Sequence, residues 1–268
     1  MVETFQLTGN AASIFEKQKV PGIFSPLAQA TLDVVSLDSD DCILDVACGT
    51  GIVARRAREW VGPGSRIVGV DINDGMINVA RNLTDVHSRS CEWHVADVAD
   101  LPFEDGAFSI AFCQQGIQFF QDHKTALMEI KRVLLPGGRI AITVWSKINP
   151  FTRVLADSIS RLVNRDVAKR TLAPYKCKNR DTLDLLLSEL GFADVSVQEL
   201  KIDRVINATA ASIRNEIMGL PIGPAVLENG EDVLHQIVEE VIEASSALRH
   251  ESDFVIPQHT YLIQAKVQ

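Results

Sequence analysis

Gly49-Thr50-Gly51-Ile52-Val53-Ala54 is the segment of this 268-residue chain whose residue types and spacing imply chemistry most directly. It fits G-x-G-x-x-G/A, in which the glycines allow a tight turn and a close approach of backbone to ligand, and Asp71 follows Gly51 by twenty residues. The run Cys42-Ile43-Leu44-Asp45-Val46-Ala47 before it reads as a buried strand, and the helix-period run from Thr50 to about Val61 follows it. A turn that merely packs a helix on a strand would account for the glycines and leave Asp71 unexplained. The combination points to a ligand that contains a nucleoside.

Charge narrows the ligand. Asp45 lies at the end of the first strand, four residues before Gly49. A dinucleotide would bring its pyrophosphate to the loop and the helix N-terminus, where a carboxylate opposes it. S-adenosylmethionine brings an ammonium and a sulfonium, which an acid assists, and a carboxylate that loop N–H groups can serve. Unlike charges ~4 Å apart attract by ~1 kcal/mol in water and several-fold more at a protein surface. The alternative for Asp45 is a carboxylate that braces the loop or caps the helix. Asp71, at the end of the second strand, is placed to accept from the ribose hydroxyls, or to cap the helix that starts near Asn73. Asp97 ends the third strand and can accept from the adenine amine, with Ile72, Met76 and Val98 around the purine. Met76 reads equally well as helix core.

The elements that carry these residues alternate between short apolar runs and helical ones. Strands are expected at 42–47, 66–71, 91–96, 108–113 and 139–145. Helices are expected from Thr50, from Asn73 or Asp74 to about Asn82, and over Lys124 to Leu135, where Pro136-Gly137-Gly138 stops the last. This alternation predicts parallel βαβ units and a doubly covered sheet, with ligands beyond the carboxyl ends of the strands. Further on, Asp181 to Leu190 reads as a helix, Val195 to Ile206 as a strand, 209–219 and 231–248 as helices, and Phe254 to Val267 as a last strand. The expected organisation is a single domain over 1–268: an N-terminal cover (1–35), a core (36–206), a helical insertion forming a substrate lid (207–250) and the last strand (251–268).

Bulk properties exclude several classes. Hydrophobic residues make up 46% of the chain, a globular proportion, and the formal charge is −9. The densest basic stretch, Lys169 to Arg180, is broken by Pro174 and Tyr175 and reads as a solvated surface, so no nucleic-acid partner is expected. The five cysteines have no C-x-x-C spacing, which argues against a disulfide framework or structural zinc, and no metal is expected. No apolar run approaches the ~18 residues of a membrane span. The N-terminal residues do not read as a signal peptide, and a cytoplasmic location is expected.

Four segments together resemble the class I S-adenosylmethionine-dependent methyltransferases, in particular the small-molecule group that includes the ubiquinone and menaquinone C-methyltransferases. They are Ile43 to Gly51, Val68-Gly69-Val70-Asp71, Ala96-Asp97 with Leu101-Pro102-Phe103, and Arg132 to Gly138, in the family's order and spacing. The resemblance covers about Ile43 to Trp145. It implies a Rossmann-like α/β fold with a seven-stranded sheet, mostly parallel with an antiparallel last strand, and helices on both faces. It also implies that Asp45, Ala47, Gly49 and Gly51 line the methionine portion of the cofactor, with Cys113, Gln114 and Gln115 beside it. Asp71 would hold the ribose, and Asp97 and Val98 the adenine. Where this chain has Ala47 the family often has glycine, a change that costs little if the backbone angles there are ordinary.

Methyl transfer is an in-line displacement, so the enzyme chiefly aligns the nucleophile and excludes water. A hydroxyl or enol acceptor also requires proton removal. No histidine is an obvious base; His259, near the start of the last strand, is the candidate, and His123 reads as a helix cap. Phe5, Phe15 and Phe24 read either as a cover over cofactor and substrate or as ordinary packing. Leu220-Pro221-Ile222-Gly223-Pro224 reads as a mobile apolar turn, pointing to a nonpolar acceptor. The expected activity is methyl transfer to a small molecule. Two alternatives stand beside it: a cofactor-binding protein of this fold without methyl transfer, acting as a cyclase or binding partner, and a nicotinamide-dependent oxidoreductase. Asp45 and the absence of a Tyr-x-x-x-Lys pair oppose the second.

Overall fold

The computed structural model describes residues 11–85, 91–176 and 180–268. The chain folds as two units: Met1–Ser146 with Cys177–Leu200 and Thr260–Gln268, and Lys147–Lys176 with Lys201–His259. Residues 147–176, expected in the core, thus belong with the second unit.

The strands are β1 (Ile43–Val46), β2 (Ile67–Asp71), β3 (Glu92–Val95), β4 (Phe108–Gln114), β5 (Leu134–Trp145), β6 (Phe192–Asn207), β7 (Arg249–His250) and β8 (Asp253–Val267). They form one sheet in the order β3-β2-β1-β4-β5-β8-β6, with β7 paired to β8 off that path. The count is eight rather than the expected seven, because two residues before β8 fold back on it as β7. β1 to β5 are parallel, and β8 runs antiparallel to β5. The strand order reverses between β1 and β4, the position at which open α/β sheets bind ligands.

In the first unit, apolar residues of β1, β4 and β5 are buried on both faces. One face carries Leu44, Val46, Ala111, Cys113, Ile142 and Val144, packed with Leu127 and Ile130 of α5 (His123–Val133) and Leu183 and Leu187 of α8 (Arg180–Glu189). Asp122 caps α5, accepting from the N–H groups of Lys124 and Thr125, so His123 is the first helical residue and not the cap. α5 ends at Val133, and Pro136-Gly137-Gly138 falls inside β5, where the register with β4 slips. Before β1 come α1 (Ala11–Gln18), a π-helical turn (Val20–Phe24) and α2 (Ser25–Val34).

The second unit contains α6 (Pro150–Leu162), α7 (Arg165–Thr171), α9 (Ala210–Met218), α10 (Gly223–Leu227) and α11 (Glu231–Ala244). Its core includes Phe151, Ile159, Ile213, Leu234, Ile237 and Phe254. The turn around Pro221, expected to be mobile, is packed instead. Ile222 and Val226 are buried in that core, and a Cβ on Gly223 would lie 2.9 Å from Met218 backbone. Asn149 caps α6 by accepting from Thr152 N–H, and its Nδ2 donates to Tyr175 Oη at 2.7 Å and Gln258 Oε1 at 3.2 Å. Among the described residues no helix is long and apolar enough to cross a membrane.

Candidate active site

The loop after β1 is built on left-handed backbone. Gly49 has φ +57° and Gly51 φ +82°, angles that suit glycine, and Ala47 has φ +53°. The alanine is therefore not in ordinary geometry, contrary to the expectation on which its low cost rested. Glycine at 51 serves a second purpose. A Cβ there would lie 2.1 Å from the Trp93 ring, which also covers Gly69, so the turn can sit on β2 only without a side chain. The loop is hydrogen-bonded on both sides, Cys48 N–H to Val70 O at 2.9 Å and Gly51 N–H to Cys48 O at 2.9 Å.

Both predicted carboxylates join this loop. Asp45 is 1% exposed and accepts from Ala54 N–H, in the first turn of α3 (Ile52–Ala57), at 3.1 Å. It therefore braces the helix. Burial pushes its carboxyl up to about 7; the Ala54 N–H opposes that, the neighbouring charge of Asp71 reinforces it, and Arg55 opposes it. Asp71 accepts from Gly49 N–H at 2.8 Å and Asn73 N–H at 2.9 Å, so it ties the glycine loop to the end of β2. Burial raises its carboxyl as well, against the N–H groups of Asn73, Gly49 and Ile72. The cap of α4 (Asp74–Asp85) is Asn73, whose Oδ1 accepts from Met76 N–H, and not Asp71. Two carboxyl groups held this closely favour a cation at the loop over an anion.

The remaining predicted residues separate. Ile72 is 52% exposed beside Asp71, an apolar surface open to a flat ring. Met76 is 6% exposed and is helix core. Asp97 is exposed and accepts from Ala99 N–H at 2.9 Å, while Val98 packs partly against the core below α5. The Cys113 thiol is buried in that same core, on the sheet face opposite Gln114, so only its backbone lies at the strand end. Gln114 donates from Nε2 to Phe24 O at 3.1 Å. Gln115 has φ +54° and donates from Nε2 to Thr260 Oγ1 at 2.8 Å. His259 belongs to the second unit, and strand alternation turns its ring away from the face bearing Thr260.

The sequence did not single out the groups that hold the loop from outside. Glu16 of α1 accepts from the Thr50 hydroxyl and pairs with Arg55 at 2.8 Å. The Phe15 and Phe24 rings lie 4.9 Å apart, and a Cβ on Gly49 would be 3.9 Å from Phe15. These two aromatics of the expected cover thus adjoin the glycine loop; Phe5 lies outside the described residues. Gly116 is also decisive, since a Cβ there would lie 2.6 Å from Ala47 Cβ. Its signal was a glycine two residues past a strand end.

Residues 44–142 match the family model described as a methyltransferase domain. The ubiquinone/menaquinone biosynthesis C-methyltransferase UbiE of Pseudomonas putida is 34% identical over 184 residues, covering 63% of this chain and 72% of that protein. The chain belongs to the class I S-adenosylmethionine-dependent methyltransferase family. Two further members match over less of their length. The UbiE protein of Hahella chejuensis is 33% identical over 52% of this chain and 57% of its own, and the Thermus thermophilus demethylmenaquinone methyltransferase 39% identical over 37% and 45%. The chain thus spans about half the length of the first curated methyltransferases it matches. Among solved structures, YcgJ of Bacillus subtilis superposes with a TM-score of 0.59 at 19% identity, covering 91% of this chain and 98% of that one. The Haemonchus contortus phosphoethanolamine N-methyltransferase 2, solved with phosphomonomethylethanolamine and S-adenosylhomocysteine, gives 0.58 at 20% identity, covering 96% and 57%. Such likeness to a methyltransferase structure establishes the fold.

Proposed function

We propose that this protein binds S-adenosylmethionine at the carboxyl ends of β1 and β2 and transfers its methyl group to a small, largely apolar acceptor. The observation that carries the reading is the pair of carboxylates, Asp45 and Asp71, hydrogen-bonded to the N–H groups of the glycine loop and its helix. That arrangement suits a ligand with cationic centres and disfavours a pyrophosphate. When bound, the cofactor supplies an activated methyl on a sulfonium.

The chain's residues do the rest. Asp71 keeps lone pairs beyond those used by Gly49 and Asn73, enough to accept from ribose hydroxyls. The second oxygen of Asp97 serves the adenine amine, and Ile72 covers the ring face. The loop N–H groups, with the backbone at the end of β4, orient the methionine portion. Phe15 and Phe24 exclude water. The relatives named for ubiquinone and menaquinone synthesis support a ring-bearing, apolar acceptor.

Calorimetry with S-adenosylhomocysteine, followed by a search for that product from a labelled methyl donor with candidate acceptors, tests the reading. Asp71→Ala should weaken binding by ~1–3 kcal/mol, the worth of hydrogen bonds to a charged group. An unchanged dissociation constant removes the ribose assignment. Binding without turnover across a broad acceptor panel favours the cyclase or binding role.

A further inference from the structure

Five polar side chains gather at the carboxyl ends of β4 and β5 and on β8: Gln114, Gln115, Gln118, Thr143 and Thr260. All lie in the first unit. In the sheet register Gln114 is opposite Thr143, Thr143 opposite Leu262, and Trp145 opposite Thr260. Register partners share a face, so Gln114, Thr143 and Thr260 lie on one face, and Asp45, opposite Phe112, lies on it too.

The proton order in this cluster follows from two main-chain carbonyls, which can only accept. Val144 O takes the Thr260 hydroxyl proton at 2.7 Å. Thr260 Oγ1 is then an acceptor, which orients the Gln115 amide with Nε2 toward it at 2.8 Å. Gln115 Oε1 in turn accepts from Gln118 Nε2 at 3.1 Å. Gln118 Oε1 is thereby left at the end of that hydrogen-bond chain, in a residue only 9% exposed, with no donor among the described residues. The polarisation of successive bonds makes that terminal carbonyl a stronger acceptor. Independently, Phe24 O takes Gln114 Nε2 and leaves Gln114 Oε1 without a donor among the described residues. Thr143 Oγ1, 1% exposed, also lacks a partner among the described residues. Buried polar atoms are normally paired, and three such oxygens in one cluster destabilise the free protein.

We infer that this cluster is the polar anchor of the methyl acceptor's pocket and selects an acceptor carrying hydroxyl or amino hydrogens. The inference rests on the methyltransferase reading and deepens it. Gln118 Oε1 and Gln114 Oε1 each receive a hydrogen from the acceptor, and Thr143 Oγ1 completes the set. An ether or carbonyl oxygen, having lone pairs only, would face two carbonyl oxygens and be repelled. An amide carbonyl cannot take a proton, so these residues position the nucleophile. As its lone pair forms the new bond to the methyl carbon and the carbon–sulfur bond breaks, its proton leaves to water.

The test uses the full chain saturated with S-adenosylhomocysteine and three probes of similar size, 1-naphthol, 1-naphthylamine and 1-methoxynaphthalene. Calorimetry should show the two donor-bearing probes binding roughly ten-fold tighter than the ether, the worth of one such hydrogen bond. Gln118→Met should reduce that difference to roughly two-fold or less with the S-adenosylhomocysteine affinity unchanged. Thr143→Val, which removes only an unpaired hydroxyl, should raise the melting temperature of the free protein by roughly 2–4 °C; a merely structural hydroxyl would lower it. A fall in melting temperature, equal binding of the ether, or binding of none of the probes overturns the inference. Failure of the wild type to bind S-adenosylhomocysteine overturns the cofactor reading itself. Should Gln118→Met fail to fold, Thr143→Val and the wild-type preference still decide.

Discussion

Ala47 and Gly116 test the construction of the site most directly, because each restricts the other. Ala47 stands at φ +53°, where a Cβ costs about 1–2 kcal/mol. Ala47→Gly removes that strain and adds about 0.4–1 kcal/mol of unfolded-state entropy, so stability should change little or rise slightly. Gly116 has φ −103°, open to any residue, but a Cβ there would lie 2.6 Å from Ala47 Cβ and 3.1 Å from Cys113 Sγ. Gly116→Ala alone should therefore cost about 1–3 kcal/mol by overpacking. In the Ala47→Gly background the closest of these contacts is gone, and the same substitution should cost about 1–2 kcal/mol less. Urea denaturation of the four proteins gives the coupling, and S-adenosylhomocysteine calorimetry shows whether the loop keeps its shape. Additivity within about 0.5 kcal/mol, or an Ala47→Gly protein much less stable than the parent, refutes the reasoning.

Asp45 makes a second prediction, for pH. Its carboxyl sits at about 7 when folded against an ordinary value of 3.8, so between those values the folded state holds a proton that the unfolded chain has lost. Stability should fall as pH rises through that window and level off above it. Asp45→Asn removes this dependence, so its stability relative to the parent should improve by roughly 2–3 kcal/mol between pH 5 and pH 8. A gap that is the same at both pH values, by denaturant titration, would count against the burial argument. A cationic ligand at the loop favours ionised Asp45, so S-adenosylmethionine affinity should rise with pH up to about 7 in the parent and be flat in Asp45→Asn. Glu16→Gln keeps the length of the side chain but loses the ion pair with Arg55. It should raise the dissociation rate of S-adenosylhomocysteine several-fold in stopped flow while shifting stability by about 1 kcal/mol or less, as expected for a partly exposed pair; an unchanged rate would show that α1 does not retain the ligand.

The strands and their order of appearance, the glycine turn, and the acids at 45, 71 and 97 were legible because each is local. An apolar run of four to seven residues, a G-x-G spacing and a strand-end carboxylate are properties of consecutive residues. What the sequence could not express were distances between segments far apart in the chain. That Ala47 adopts left-handed backbone depends on the β4 loop beside it, and that Gly51 must lack a side chain depends on Trp93. Whether Cys113 or Gln114 faces the ligand depends on which side of the sheet α5 and α8 cover. Residues 147–176 left the core because α6 packs against α11, about 80 residues further on. The proton order through Thr260, Gln115 and Gln118 spans 145 positions, and only the pairing of β8 with β5 brings its ends together. Local residue chemistry names the ligand class, while burial and hydrogen-bond direction, which exist only once the chain has closed on itself, decide which side chains have anything left to offer it.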